Sequence, residues 1–277
     1  MNKYPLNSRL VIGLGVLCLL LFAAIFASVL SPWDPLDQDL MGQYLPPFWI
    51  DKANSDYLMG TDALGRDVLS RLIYGAQPAL IVALLGASFS ALIGIFLGLV
   101  AGFYGGWIDS LISRTVEIFM SFPPVLLAIV LVAVIGNGLH AVIIAIVIID
   151  WTRFCRVVRS EVLVLRELDF VSAARTIGKS RRQILFGEIL PNVAPLMLVL
   201  FALEMGIAIT VEAILSFVGF SSSNIATWGG MIAEGREYLH QAWWVMTLPI
   251  GCIIVSVLGL NLLGDGLRQT FDPLLRK

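Results

Sequence analysis

The feature of this sequence that most limits its possible folds is the recurrence of long apolar runs that contain no charged residue. One run extends from Leu10 to Leu30, and a helix over it would rise about 32 Å, enough to cross the hydrocarbon core of a bilayer. Another run lies between Arg71 and Asp109. Because 58% of the residues are hydrophobic and only 14% are charged, a water-soluble domain would have too little polar surface to cover its core. The sequence therefore predicts an all-α membrane protein.

Six transmembrane helices are predicted from the apolar runs and from the turn signals between them. They cover approximately residues 10–30, 79–101, 119–135, 140–154, 191–218 and 242–263. The segment Gly136-Asn137-Gly138 is a turn signal that separates the third helix from the fourth. A cleaved signal peptide is the alternative for the first run, but the length of the run favours a retained anchor.

An even number of spans places both chain termini on one side of the membrane, and the basic residues indicate which side. Of the 18 Lys and Arg residues, all but Lys52, Arg66, Arg71 and Arg236 lie on the side of the termini. Because basic residues concentrate on the cytoplasmic side, both termini are predicted to be cytoplasmic. Residues 1–78 then form an anchor helix and an extracytoplasmic segment, and residues 79–277 form a core of five spans.

The extracytoplasmic segment before the second span has an amphipathic pattern. Leu64, Val68 and Leu72 share one helical face, and Asp62 is placed to cap the helix. This pattern predicts an amphipathic helix along the outer membrane surface, which serves either as an interfacial anchor or as a contact for an external partner. The charged residues of this helix are the candidate extracytoplasmic contacts: Asp62, Arg66, Asp67 and Arg71.

The largest cytoplasmic loop, at about residues 153–191, is longer than a connector needs to be. Its sequence predicts a short helix that ends at Gly178 and a second amphipathic helix that continues to Pro191. The segment Ala173–Ser180 is close to a phosphate-binding loop, but Ala173 replaces the first glycine and no strand precedes it. We therefore expect no ATP site in this chain.

This loop resembles the cytoplasmic motif of binding-protein-dependent ABC importer permeases. The residues that match the motif in spacing are Ala173, Ala174, Gly178, Leu190 and Pro191. Two positions depart from it: Ser172 stands where the family often has Glu, and Glu188 stands at the usual Ile position. The resemblance implies that a cytoplasmic coupling helix lies between the fourth and fifth spans. The residues that it assigns to ATPase coupling are Ser172, Ala173, Ala174, Gly178, Leu190 and Pro191.

Three further motifs resemble the permeases of the dipeptide, oligopeptide and nickel importer group, specifically the shorter of its two permease types. They are residues 60–72 before the second span, residues 212–232 around the end of the fifth span, and residues 261–268 near the C-terminus. The resemblance implies a type I ABC importer permease fold and a location in the bacterial inner membrane. It also implies three kinds of partner: a second homologous permease, two ATPase subunits and an extracytoplasmic substrate-binding protein.

The same resemblance implies a subunit that imports a small solute and performs no catalysis itself. Di- or oligopeptides are the favoured cargo, with nickel or another small solute as the alternative. An ion-gradient-driven secondary transporter is a more distant alternative, because no internal repeat links the two halves of the chain.

Two acidic residues, Glu204 and Glu212, interrupt the predicted fifth span. A charged group at membrane depth is costly and usually faces a cavity or a partner. The two residues lie about 12 Å apart along a helix, so both are candidates for the translocation pathway. The alternative is that either is protonated or bonded to a neighbouring helix. Asp150 and Arg153, one turn apart at the inner end of the fourth span, are expected to form a structural ion pair.

The remaining candidate site residues indicate no metal, cofactor or catalytic centre. His140 and His240 have no second ligand at a suitable spacing, and Cys18, Cys155 and Cys252 lie far apart. The formal net charge of -2 provides no basic surface of the kind that nucleic-acid binding requires. Membrane lipid is therefore the only non-protein partner that we expect.

Overall fold

The computed structural model describes residues 7–51, 53–220 and 224–271, and its regular structure is helical. The helices are α1 (Ser8–Ile25), α2 (Ala27–Leu30), α3 (Val68–Tyr104), α4 (Gly106–Met120), α5 (Pro124–Ile135), α6 (Leu139–Leu165), α7 (Asp169–Thr176), α8 (Arg181–Ile184), α9 (Leu190–Val218), α10 (Trp228–Glu237) and α11 (Trp243–Phe271). A π-helical turn over Leu185–Ile189 joins α8 to α9.

Within the described residues, four helical segments are long and apolar enough to cross a membrane. They are Ser8–Ile25, Val68–Tyr104, Arg181–Val218 and Trp243–Phe271. A fifth is added if α4 and α5, which meet at an angle of 88°, form one broken span. The structure is thus that of a helical membrane protein with four or five such segments, where the sequence predicted six spans. Helix α6 is 27 residues long and carries charged residues in its inner half.

The predicted third span, residues 119–135, is wrong as a continuous helix. Helix α4 ends at Met120, and α5 begins at Pro124 after a sharp bend. Pro123 and Pro124 explain the break, because proline disfavours helical geometry in the residue before it and has no N–H to donate. Helix α5 has 12 residues and rises about 18 Å, which is less than the hydrocarbon thickness.

The predicted interfacial helix capped by Asp62 is also wrong. Helix α3 begins at Val68, and its cap is Asp67, whose carboxylate accepts a hydrogen bond of 2.7 Å from the Ser70 N–H. Residues 60–67 instead form a tight loop, which is closed by an isolated antiparallel bridge between Thr61 and Asp67. The apolar periodicity over Val68 and Leu72 belongs to the first turns of a helix of 37 residues.

The centre of the fold is the packing of α3 against α6, supported by α9 and α11. Small residues on α3 allow the two backbones to approach closely. A Cβ atom added at Gly94 would lie 2.3 Å from the Trp151 carbonyl oxygen and 2.5 Å from the Phe154 Cβ. Arg159 of α6 also forms an ion pair with Asp109 of α4. These contacts fix the position of the C-terminal half of α6, which leads into the loop that carries α7.

Helix α1 packs along α11 at the edge of this bundle. A Cβ atom at Gly13 would lie 2.4 Å from the Leu263 backbone nitrogen, so this contact also depends on a glycine. Near the start of α1 and the end of α11, the Arg9 guanidinium lies 3.7 Å from the Asp265 carboxylate. The predicted anchor helix is therefore an integrated part of the bundle.

Candidate functional site

The loop between α6 and α9, which the sequence predicted to be cytoplasmic, folds as a short helix, α7, held on a small apolar core. Val171 and Ala174 are buried, and they pack in a cluster with Leu185 and Ile189 of the following helical segment. Ser172 and Ala173 are exposed, and Ile177 just after the helix is 74% exposed. The helix thus has a fixed inner face and an outer surface of small and apolar residues that nothing in the described chain covers.

Gly178 ends α7 in a left-handed conformation, with φ at +84°. The Gly178 N–H donates to the Arg175 carbonyl at 3.0 Å, and the Lys179 N–H donates to the Ala174 carbonyl at 3.1 Å. This pair of bonds is a Schellman motif, which is the arrangement that glycine favours at a helix C-terminus. A Cβ atom at Gly178 would meet nothing within 4 Å. The requirement for glycine here is therefore conformational and not steric.

The next helical segment begins at once, because Ser180 and Gln183 form a capping box at the start of α8. The Lys179 ammonium pairs with the Glu188 carboxylate in the π turn. The Glu188 carbonyl accepts a hydrogen bond of 2.6 Å from the Asn192 side chain. Glu188, which departs from the family motif, is thus the ionic partner that fixes the turn after α7. The motif comparison missed this role, although the complementary charges of Lys179 and Glu188 were a visible signal.

The π turn accommodates the prolines that follow it. Pro191 and Pro195 lie in the first turns of α9 and remove two backbone N–H donors from the helical ladder. A π turn is a common way to relieve such a defect without ending the helix. Residues 181–218 consequently form one helical segment, which joins the loop after α7 directly to the predicted fifth span. Leu190 and Pro191 lie at this junction.

Glu204 and Glu212 are both buried in α9, with exposures of 2% and 1%. One Glu204 carboxylate oxygen lies 3.6 Å from Arg153 of α6, and the other has no hydrogen-bond partner in the described chain. The predicted ion pair is present, because Arg153 also lies 3.6 Å from Asp150. Arg153 therefore faces two carboxylates from two helices, and Glu204 is tied to α6.

Glu212 has a different environment. Its carboxylate accepts a hydrogen bond of 2.6 Å from the Ser216 hydroxyl, one turn further along the same helix. Ser216 lines a largely apolar cavity of about 210 Å³ together with Arg71, Phe217, Thr227 and Glu234. Glu212 thus lies one helical turn from this cavity, and its observed partner comes from its own helix.

The four candidate extracytoplasmic contacts are buried, where the sequence predicted an exposed polar face. Asp62 is 1% exposed, and its carboxylate forms an ion pair with the Arg66 guanidinium at 2.7 Å and another with Arg71. Glu234 of α10 completes the cluster, at 2.6 Å from Arg66 and 2.7 Å from Arg71. Asp67 is buried beside them, and burial raises the pKa of its carboxyl, while hydrogen bonds from Ser70 lower it. These side chains join the loop before α3 to α10.

This burial corrects the expected surface role. A partner has little access to Asp62, Arg66, Asp67 or Arg71 in this conformation, because all four are buried. Asp62, Arg66 and Arg71 form ion pairs with one another and with Glu234, whereas Asp67 is bonded only to Ser70 among the described residues. Glu234 had no sequence signal as a member of the cluster, since it lies more than 160 residues along the chain from Arg66 and Arg71. Among the described residues, no group of three or more His, Cys, Asp or Glu is placed to hold a metal ion.

Comparison with known proteins extends over nearly the whole chain. Residues 94–277 match the family described as binding-protein-dependent transport system inner membrane component, and residues 7–47 match the N-terminal TM domain of oligopeptide transport permease C. The chain is 39% identical to the di/tripeptide transport system permease protein DppC of Pseudomonas aeruginosa, over 95% of this chain and 88% of that protein. It is 34% identical to the oligopeptide transport system permease protein OppC of Bacillus subtilis, over 100% of this chain and 89% of that protein.

The fold is similar to that of a solved transporter. A chain of the inward-facing MetNI methionine ABC transporter aligns with a TM-score of 0.60 at 20% identity, over 73% of this chain and 97% of that chain. A second crystal form of MetNI gives a TM-score of 0.61. The chain therefore belongs to the family of binding-protein-dependent transport system inner membrane components and has the fold of an ABC importer permease.

Proposed function

We propose that this chain is a membrane-spanning permease subunit of an ATP-driven importer of di- or oligopeptides. The observation that carries the proposal is identity of 34% to 39% along almost the full chain to relatives named as di/tripeptide and oligopeptide permeases. The subunit would act with a second homologous permease, two ATPase subunits and an extracytoplasmic binding protein. Nickel or another small solute is the alternative cargo.

The proposed membrane arrangement has six crossings. The crossings are α1 with α2, α3, the bent pair α4 and α5, α6, α9 and α11. Helix α6 is included because its 27 residues rise about 40 Å and its outer half is apolar. The distribution of basic residues supports this arrangement, since it places both termini and α7 in the bacterial cytoplasm. Helix α10 and the loop before α3 then lie on the outer side.

Energy coupling is assigned to α7. Its exposed surface around Ser172, Ala173 and Ile177 would lie against an ATPase subunit, while Val171 and Ala174 hold it to the permease. Movement of α7 would pass through the Lys179–Glu188 pair and the continuous helical segment to α9. Coupling requires that the ATP-bound state of the ATPases favours one arrangement of these helices over another.

The translocation pathway is assigned to the surface near Glu204 and Glu212. The cavity one turn from Glu212 is lined by the Ser216 and Thr227 side chains and by apolar side chains, which suits the polar backbone and the side chains of a peptide. Glu212 would attract the peptide ammonium group after release from the binding protein. Glu204, which is tied to Arg153 and Asp150, would contribute closer to the cytoplasmic side.

Reconstitution of the purified transport complex in liposomes tests the proposed function. Labelled dipeptide is supplied with the binding protein on one side, with ATP or a non-hydrolysable analogue on the other. We expect uptake only with ATP and only when all subunits are present. Uptake that follows an imposed proton or sodium gradient without ATP would overturn the proposal in favour of a secondary transporter. ATP-dependent uptake of nickel but not of peptide would leave the importer assignment intact and change its cargo.

A pair of variants in α9 tests the pathway. Glu212→Gln is expected to lower peptide uptake several-fold while ATP hydrolysis continues, because the cavity loses its attraction for the ammonium group. Thr210→Val is the matched control on the same helix, since the Thr210 hydroxyl bonds only to the backbone carbonyl of Gly206. Equal uptake by the Glu212 variant and the wild type would remove Glu212 from the pathway.

A further inference from the structure

A polar cavity of about 330 Å³ lies beside α7. It is lined by Phe103 and Tyr104 at the inner end of α3, by Arg175 of α7, and by Lys179, Arg181 and Ile184. Three of these six residues are cationic, and none is acidic. The cavity therefore concentrates positive charge where three separate segments of the chain meet.

Two of the three cations have no partner within the described chain. Lys179 pairs with Glu188, but the guanidinium groups of Arg175 and Arg181 make no hydrogen bond or ion pair within the described residues. The Tyr104 hydroxyl also makes no hydrogen bond in the described chain, and the ring packs edge-on against Phe103 at 5.3 Å. Unpaired guanidinium groups beside an aromatic wall are a suitable environment for an oxyanion, because each guanidinium offers several N–H donors in one plane.

The direction of Arg175 differs from that of most of the coupling surface. Successive helical residues are about 100° apart, so Arg175 lies about 160° from Ala173 and Ile177, about 60° from Ser172 and about 40° from the buried Val171. It therefore points along the permease towards the end of α3, and not outward with Ile177. Exposed basic residues that only satisfy the positive-inside rule do not need to converge in this way.

The position of the cavity makes phosphate its natural anion. Helix α3 has 37 residues and rises about 55 Å, which exceeds a hydrocarbon core of about 30 Å, so its inner end reaches the lipid headgroups or the solution next to them. Basic pockets at this level of a membrane protein commonly bind phosphate-bearing groups, and arginine pairs with phosphate through two parallel hydrogen bonds.

We propose that Arg175, Arg181 and Tyr104 form a binding site for a phosphate group, carried either by an anionic phospholipid or by a free phosphate anion. The bound phosphate would bridge α7 to the end of α3 and so hold the coupling helix in place. The site is not a nucleotide-binding loop, because Ala173–Thr176 is helical and the Lys179 ammonium is occupied by Glu188. The proposal rests on the cavity alone and does not depend on which solute is imported.

The test compares the full transport complex with two variants. The double variant Arg175→Gln/Arg181→Gln removes both free cations, whereas Arg182→Gln removes an exposed neighbouring cation that does not line the cavity. In the lipid arm, the complexes are placed in phosphatidylcholine nanodiscs with added phosphatidylglycerol, and retained lipid is counted by native mass spectrometry. In the phosphate arm, nanodiscs of phosphatidylcholine alone are dialysed against radiolabelled inorganic phosphate. Any phosphate bound by the ATPase subunits is the same in all complexes, so it cancels when the variants are compared.

We expect the double variant to bind the probe at least about tenfold more weakly than the wild type in one of the two arms, since each charge-assisted bond contributes about that factor. The arm that responds identifies the source of the phosphate. Arg182→Gln should bind like the wild type, and Arg175→Lys/Arg181→Lys should recover part of the affinity. The proposal is overturned if neither arm separates the double variant from the wild type, or if Arg182→Gln reduces binding equally. All variants are compared at equal recovery of the assembled complex.

Discussion

Replacement of Gly178 by valine is the sharpest test of the coupling assignment. The backbone at this position has φ at +84°, a conformation that costs an L-residue about 1–2 kcal/mol, and a β-branched side chain lies at the upper end of that range. An added side chain meets nothing within 4 Å, so no steric clash contributes. A cost of about 2 kcal/mol corresponds to a shift of about thirtyfold in the balance between the native turn and a relaxed one.

The relaxed turn would lose both Schellman bonds and change the direction in which α7 leaves the following helical segment. We expect Gly178→Val to reach the membrane and assemble, because the main packing of α3 against α6 is untouched. Peptide uptake should fall to background while ATP hydrolysis continues, which is the signature of lost coupling. Gly178→Asn should retain most of the uptake, because asparagine tolerates the left-handed conformation.

The assay measures peptide uptake and ATP hydrolysis by the same reconstituted complex, so that their ratio reports coupling. Gly136→Val is the matched control: Gly136 ends α5 with φ at +112° and also has open space around it, but it lies outside the loop after α6 and does not line the cavity beside Ser216. It should carry a similar strain without a change in that ratio. Undiminished uptake in Gly178→Val, or equal uncoupling in Gly136→Val, would refute the reasoning.

Three further outcomes follow from the packing and the ion pairs. Gly94→Val should abolish accumulation of the protein in the membrane, measured by immunoblot, because its side chain would overlap α6, whereas Gly251→Ala, where the added atom meets nothing within 4 Å, should be tolerated. Charge reversal of Lys179 or Glu188 alone should reduce uptake, and the double swap should restore much of it; a double variant as poor as either single one would exclude the pair from coupling. Asp62→Asn should destabilise the complex by about 1.5–3 kcal/mol, because Arg66 and Arg71 lose one of their two carboxylate partners while Glu234 remains. Unchanged thermal stability in that variant would contradict a structural role for the buried cluster.

The sequence predicted most of the long helices because their signals are local. An uncharged apolar run is sufficient to indicate a membrane helix, and the turn at Gly136-Asn137-Gly138 and the helix end at Gly178 follow from backbone preferences of single residues. The break before Pro124 had an equally local signal in two adjacent prolines, but its angle of 88° depends on how α4 packs on α6. The amphipathic pattern over Val68 and Leu72 was detected correctly and placed in the wrong kind of helix.

The outer cluster shows what a local pattern does not contain. Arg66 and Asp67 were predicted on the exposed face because charged residues usually are, and only the position of α10 makes their burial possible. Glu234 of α10 supplies a second carboxylate to Arg66 and Arg71. Since burial of a charge is tolerated when its partner is fixed nearby, the outcome depended on a residue that lies far away in the chain.

By itself the sequence determined that this protein is a helical membrane protein and which family it resembles. It also determined the helix–glycine–helix pattern of the loop around Gly178. These properties depend on composition and on the spacing of residues along the chain. The tertiary structure decided which charges are free. In the folded chain, Glu204 lies beside Arg153, and Glu188 forms an ion pair with Lys179. Asp62 is buried beside arginine side chains, whereas Arg175 and Arg181 line an open cavity. The physical reason is that the energy of a charge depends on the distances to all neighbouring charges and to water, and those distances are set by folding.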